Sequence, residues 1–136
     1  GKACYAMSWS GRTGERVEIA EIDSGGSAAP PPLALSGLTG CVVVLAPGAG
    51  GGGVGARAAG AAELASVRLA SLRGTVVDLR GARVAGAVYA EELRGCVVVV
   101  RCGQLRMHAC EGCVVMGEVG SEPVIEDCVG MEFGGL

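Results

Sequence analysis

The chain has 136 residues, of which half are apolar and only 3% are aromatic, and its formal net charge at neutral pH is −3. This length supports one domain, whose core would have to be built from Val, Leu, Ala and Cys in narrow layers. The 25 glycines argue against a helical bundle, and the negative charge argues against nucleic-acid binding through bulk attraction.

Residues 1–34 are interpreted as a lead-in to the domain. They open without the apolar segment of a signal peptide, and nothing later is apolar for long enough to span a membrane. Residues 16–22 (RVEIAEI) fit a degenerate copy of the repeat described below, and residues 24–34 (SGGSAAPPPLA) have the composition of a linker. Because the seven cysteines are odd in number, we expect reduced thiols and a cytoplasmic location.

A short repeat runs through the rest of the chain. Four Val-rich runs each start with a glycine, and the first interval between them is twice the last: Gly40, Gly74, Gly95 and Gly112. A second series of runs (VYAEEL, LRMHAC and VIEDC) recurs at almost the same short interval, with ends at Leu93, Cys110 and Cys128. Such a period, without helical periodicity, is typical of a parallel β-helix. We predict an all-β solenoid of about four to five coils, with residues 35–136 as its main domain.

A Gly/Ala-rich insertion at residues 46–62 interrupts the repeat. Its four consecutive glycines are not followed by the GKS or GKT of a phosphate-binding loop. The sequence therefore predicts a mobile excursion from a coil corner and no nucleotide site.

The pair Cys110 and Cys113 (CEGC) has the spacing with which a zinc site can begin, but a closed site needs two more ligands. Cys96 precedes Cys113 by one coil period, and Cys128 follows Cys110 by nearly the same interval. Because these intervals match the coil period, we interpret the thiols as inward-facing fillers, with zinc or redox chemistry as the alternative.

The stretch from Cys102 to Cys110 (CGQLRMHAC) alternates polar and apolar residues. As a strand it places Gln104, Arg106 and His108 on one face. The coil period stacks Tyr89 and Val124 beside Arg106, and Glu91 and Glu126 beside His108. Two inward rows are expected as well: Val88, Leu105 and Pro123, and Ala90, Met107 and Ile125. The outer face is then either a solvated ladder of ion pairs or an arginine held by acids for insertion into a partner.

Three segments together resemble the tubulin-binding cofactor C domain, which is shared with the retinitis pigmentosa GTPase-activating protein that acts on Arf-like GTPases. They are LSGLTGCVVVLAP, VAGAVYAEELRGCVVVVRCGQLRMH and SEPVIEDCVGMEF, and the resemblance covers residues 35–133. The most distinctive family motifs are Gln-Leu/Phe-Arg-x-His/Arg, which matches residues 104–108, and Pro-Ile-Ile-Glu-Asp-Cys, which matches residues 123–128. The family fold is a right-handed parallel β-helix, which agrees with the repeat.

The resemblance implies GTPase activation. Arg106 matches the family's catalytic arginine finger, Gln104 the motif glutamine, and Glu126 the glutamate thought to orient the arginine. Family members often carry two glutamines, and here Gly103 stands at the first position. We expect the remaining neighbours of the arginine to contact the partner: Tyr89, Glu91, His108 and Val124.

The partner implied is tubulin or an Arf-like small GTPase, which brings GTP and magnesium. The domain itself is expected to need no cofactor or metal and to be monomeric. A cytoplasmic location, at the cytoskeleton or at the base of a cilium or flagellum, would fit either partner.

Two other classes of protein share parts of this pattern. One is a non-catalytic cytoskeletal module similar to the β-helix of cyclase-associated proteins, which lacks the Gln-x-Arg motif. The other is a left-handed hexapeptide acyltransferase. The absence of a six-residue sub-repeat in this sequence argues against that class.

Overall fold

The protein is all-β in the part of the chain that the computed structural model describes, residues 7–19, 29–45 and 62–136. The strands are β1 (Met7–Ser10), β2 (Arg16–Ile19), β3 (Leu33–Ser36), β4 (Val42–Leu45), β5 (Ala62–Leu64), β6 (Val67–Ala70), β7 (Val76–Asp78), β8 (Ala82–Glu91), β9 (Val97–His108), β10 (Val114–Val119), β11 (Val124–Glu126) and β12 (Glu132–Gly134). Within these ranges the chain forms no helix that could cross a membrane.

All recorded strand pairs are parallel, and the strands follow one another in two ladders. The first ladder runs β1, β3, β6, β8, β9 and β11, and β5 adds to the N-terminal half of β8. The second runs β2, β4, β7, β9, β10 and β12. Because β9 belongs to both ladders, the strands form one continuous sheet that curls around the core.

The core consists of rows of equivalent residues, one from each successive strand. Leu35, Leu69, Ala90 and Met107 form such a row in the first ladder, and all four are buried. The side chains are small or branched, as tight stacking in parallel sheets favours. Of the described aromatic residues, Trp9 is half-buried, and Tyr89 and Phe133 are exposed. The predicted core of aliphatic residues and cysteines is therefore confirmed.

Tight turns connect the two ladders, and their backbone explains the repeated glycines. Gly95 and Gly112, which precede the Val-rich strands, have φ of 60° and 61°. This left-handed conformation strains a residue with a Cβ, so glycine is favoured there. Three residues earlier in the same turns, Glu92 and Ala109 adopt φ of 55° and 54° without being glycine. The sequence therefore indicated only one of the two left-handed positions in each turn.

The structure corrects several boundaries predicted from the repeat. Ala62 is the first residue of β5, so the insertion does not extend to it, and residues 46–61 lie outside the described ranges. The Val-rich run after Gly95 and the run LRMHAC, which the repeat counts separately, belong to one strand, because β9 continues through Gly103 from Val97 to His108. Ile125 aligns with Met107 as predicted but is 38% exposed, because β11 pairs with β9 alone. Pro123, which was predicted to face inward beside Leu105, is exposed as well and precedes β11.

The N-terminal lead-in contributes strands to the same sheet. β1 pairs with β3, and β2, which falls in the predicted degenerate repeat, pairs with β4. Residues 20–28, which include the first part of the predicted linker, lie outside the described ranges. Leu33 and Ala34, the end of that linker, belong to β3.

Candidate functional site

The C-terminal half of β9 carries the polar residues that the sequence singled out. Gln104, Arg106 and His108 are exposed, whereas Leu105 and Met107 are 1% and 2% exposed. The alternation predicted from the sequence is therefore confirmed. The two buried side chains anchor the strand and hold its polar residues on one side.

The residues predicted to stack on this strand lie in the expected register. Tyr89 of β8 and Val124 of β11 are the partners of Arg106, on opposite sides of it. Glu91 and Glu126 flank His108 in the same way, and Gln104 pairs with Ala87. We call the outward side chains of these strands the motif face: Tyr89, Glu91, Gln104, Arg106, His108, Val124 and Glu126.

Arg106 has no ion pair or side-chain hydrogen bond among the described residues. The sequence had placed its guanidinium near Glu126, but Glu126 stands opposite His108 and is thus a diagonal neighbour of the arginine. Diagonal neighbours on parallel strands lie farther apart than direct partners. The side chain of Arg106 therefore does not have to extend as far as the carboxylate of Glu126. The guanidinium therefore keeps its donors available for a partner.

His108 makes a side-chain contact with Asp127 that the sequence did not indicate. Its Nε2 lies 3.3 Å from Oδ2 of Asp127, and both side chains are more than half exposed. Simple alternation would turn Asp127 inward, away from Glu126, but its φ of 53° redirects the chain at the end of β11. The repeat could have indicated this left-handed conformation, because Asp127 occupies the same turn position as Glu92 and Ala109.

Arg68 is a second residue that sequence reasoning missed. It lies on β6 in register with Tyr89, and its Cζ is 5.9 Å from the centre of the tyrosine ring. Such a contact between a cation and an aromatic ring contributes about 0.5–1 kcal/mol at exposed sites. The interval between Arg68 and Tyr89 is longer than the usual coil period and equals the interval that separates Gly74 from Gly95. Counting back from Tyr89 by that longer interval would have identified Arg68 as its neighbour.

Gly103, which stands where the family often has a glutamine, lies at a close approach between strands. A Cβ at this position would be 3.0 Å from the carbonyl oxygen of Ala85 and 3.2 Å from that of Gly86. Opposite it, the register between β8 and β9 shifts by one residue between Val84 and Ala87. This bulge brings the backbone of β8 against Gly103.

Of the six cysteines in the described ranges, five are buried in the core and one, at the edge, is half-buried: Cys41, Cys96, Cys102, Cys110 and Cys113, and then Cys128. Burial raises the pKa of Cys110 to about 11, and it raises the pKa values of Cys96 and Cys102 as well. Cys96, Cys102 and Cys110 therefore stay protonated at neutral pH. Several of the described thiols donate to backbone carbonyls, as Cys113 Sγ does to Glu111 O at 3.4 Å. The predicted inward placement is confirmed.

The stacked thiols are expected to need no metal. The described residues contain no group of three or more His, Cys, Asp or Glu side chains arranged to hold a metal ion. Elemental analysis of the purified protein should find less than stoichiometric zinc, and a strong chelator should leave the Tm unchanged. A Tm that falls with chelator and recovers with added zinc would contradict the assignment of these thiols as core fillers.

The sequence matches the family model described as tubulin binding cofactor C over residues 32–136. The tubulin-specific chaperone C of Mus musculus is 41% identical over 68 residues, which cover 50% of this chain and 19% of the mouse protein. That of Homo sapiens is 36% identical over 50 residues, or 37% of this chain and 14% of the human protein. The match thus covers less than a fifth of the length of each relative. No solved structure gives a significant match.

Proposed function

Because this chain belongs to the tubulin binding cofactor C family, we propose that it is a GTPase-activating domain that supplies Arg106 to the nucleotide site of a partner. The observation that carries this proposal is the exposed guanidinium of Arg106, which has no ion pair among the described residues, on a strand anchored by Leu105 and Met107. Among the described residues Arg83 and Arg101 are also exposed without an ion pair, so what distinguishes Arg106 is its place in the motif, between the exposed Tyr89 and Val124.

In this proposal Arg106 acts electrostatically, by stabilising negative charge in the transition state of GTP hydrolysis. When water attacks the γ-phosphorus of GTP, negative charge spreads over the phosphoryl oxygens, and an arginine supplied in trans stabilises it by roughly 10³ to 10⁵ in rate. The planar guanidinium can donate two parallel hydrogen bonds to phosphate oxygens, which an ammonium group cannot do. GTP and magnesium belong to the partner, so this domain needs neither for itself.

The neighbouring residues have supporting roles in this proposal. Glu126, diagonal to Arg106, would accept a hydrogen bond from the guanidinium when the arginine extends into the partner and thereby orient it. Gln104 lies two residues before the arginine on the same face and would contact the nucleotide site. Tyr89 and Val124, 43% and 44% exposed, would pack against the partner on either side of the arginine.

The candidate partners are tubulin and an Arf-like small GTPase. The matched relatives are named tubulin-specific chaperones, which favours tubulin. We place the interaction in the cytoplasm, at the cytoskeleton or the base of a cilium or flagellum, and we propose that the domain acts as a monomer.

We also propose that the curled sheet is a right-handed parallel β-helix of four to five coils. Its support is the pair of parallel ladders joined by short turns, in which Arg73, Arg94, Glu111 and Val129 form consecutive parallel bridges. A stacked solenoid suits the function, because a residue on a rigid sheet needs no ordering before it enters a partner's site.

Single-turnover hydrolysis tests the proposed function. Tubulin and several Arf-like GTPases, each loaded with radiolabelled GTP, are followed with and without the full 136-residue chain. We expect a saturable increase in the hydrolysis rate for one partner class. Tight binding without any increase would instead support the non-catalytic cytoskeletal module.

A further inference from the structure

The motif face carries charges of opposite sign in two adjacent columns. In the first column, Arg68, Tyr89 and Arg106 follow one another in register on β6, β8 and β9. In the second, two residues farther along each strand, Glu91, His108 and Glu126 follow one another on β8, β9 and β11. The two columns are separated by roughly 7 Å along the strands.

Each column separates its like charges by an intervening ring. Tyr89 lies between the two arginines, which are thus two strand spacings, about 10 Å, apart. The ring contacts Arg68, so that cation is held in place on the far side of Tyr89, whereas Arg106 has no ion pair among the described residues. His108 lies between the two glutamates and is bound by Asp127 from the end of β11. The arrangement therefore limits repulsion between like charges within each column. It also keeps the two columns different in charge, and we call this difference the polarity of the motif face.

We propose that this polarity orients the partner and that Arg68 is a binding residue for it, an inference that rests on the proposed function. The partner surface would place carboxylates opposite Arg68 and lysine or arginine side chains opposite Glu91 and Glu126. Reversing the partner by half a turn would bring like charges together, which costs several kcal/mol in a docked interface. Only the correct orientation then delivers Arg106 to the phosphates.

Charge-reversal variants distinguish a role of Arg68 in binding the partner from a role in catalysis. Arg68→Glu should raise by about tenfold the domain concentration that half-saturates stimulation of the GTP-loaded partner, because a rim charge acts on association. The maximal single-turnover rate should stay within about twofold of wild type, since Arg68 lies too far from Arg106 to share its phosphate contacts. Arg68→Lys should restore most of the affinity, and Glu91→Lys should weaken binding as Arg68→Glu does.

The facing pair Glu63 and Arg83 provides matched controls outside the motif face. Arg83→Glu and Glu63→Lys make the same changes in net charge, and both should leave half-saturation unchanged. If Arg68→Glu leaves half-saturation unchanged, as Arg83→Glu should, the proposal that the motif face orients the partner is wrong. The inference also fails if Arg68→Glu lowers the maximal rate and leaves half-saturation intact.

Equilibrium binding of the same GTP-loaded partners distinguishes failure of this inference from failure of the proposed function. If wild type binds a partner without stimulating it, GTPase activation is rejected, and the affinities of the four charge-reversal variants still test the face. If wild type binds neither tubulin nor any Arf-like GTPase, both proposals are rejected.

Discussion

Arg106→Ala is expected to abolish stimulation of GTP hydrolysis and to leave the fold intact. The loss should approach the whole contribution of an arginine supplied in trans, roughly 10³ to 10⁵ in rate. Stability should change little, because Arg106 is exposed and has no ion pair among the described residues. Single-turnover hydrolysis at saturating domain concentration measures the first effect, and thermal unfolding measures the second.

Two further substitutions identify what the partner requires at this position. Arg106→Lys should fail nearly as badly as Arg106→Ala, because it keeps the charge and loses the planar pair of donors. Glu126→Ala should give a partial defect in the maximal rate if the glutamate orients the arginine.

Arg101 supplies a matched control on the same strand. It is also exposed but belongs to the second ladder, where it pairs with Glu118. Arg101→Ala should leave stimulation unchanged. Stimulation that survives Arg106→Ala, or an Arg106→Ala protein that does not fold, would mean that Arg106 is not the proposed finger.

Gly117→Ala is expected to destabilise the protein strongly. Gly117 of β10 pairs with Val100 of β9, and a Cβ at Gly117 would overlap the carbonyl group of Val100. That carbonyl belongs to the backbone of a buried ladder, so it cannot move aside as a flexible side chain would. Overpacking of this kind costs typically about 1–3 kcal/mol and occasionally more.

Chemical denaturation of the variant gives the free energy of unfolding directly. Gly135→Ala is the matched control, because a Cβ at Gly135 would have nothing within 4 Å. We expect the midpoint for Gly117→Ala to fall clearly and that for Gly135→Ala to stay at the wild-type value. Equal midpoints for the two variants would show that β9 and β10 are less closely packed at this point.

Much of the site could be predicted from the sequence because the fold repeats. A nearly constant coil period translates sequence position into strand register, which correctly placed Tyr89 and Val124 beside Arg106. Burial followed from alternation in the same way for Leu105 and Met107. The family resemblance, resting on the motifs around Arg106 and Glu126, was confirmed by the match over residues 32–136.

The missed features are those where the repeat is irregular. Arg68 was overlooked because the turn that follows Asp78 makes one interval longer than the coil period. The strands β1, β3, β5 and β6 were not predicted, since each has only three or four residues and no glycine-marked run before it. Short segments of this kind are stabilised by their neighbours in the ladder, so their own sequence carries little signal.

The sequence by itself determined the strand class, the inward and outward faces, and the column to which each motif residue belongs, because these follow from periodicity alone. Only the tertiary structure decided which polar groups meet. The left-handed turn at Asp127 gives its carboxylate to His108, the ring of Tyr89 contacts Arg68, and Arg106 is left without a partner among the described residues. Periodicity fixes the direction in which a side chain leaves the backbone, but the turns and bulges between strands set the distances over which charges and rings interact.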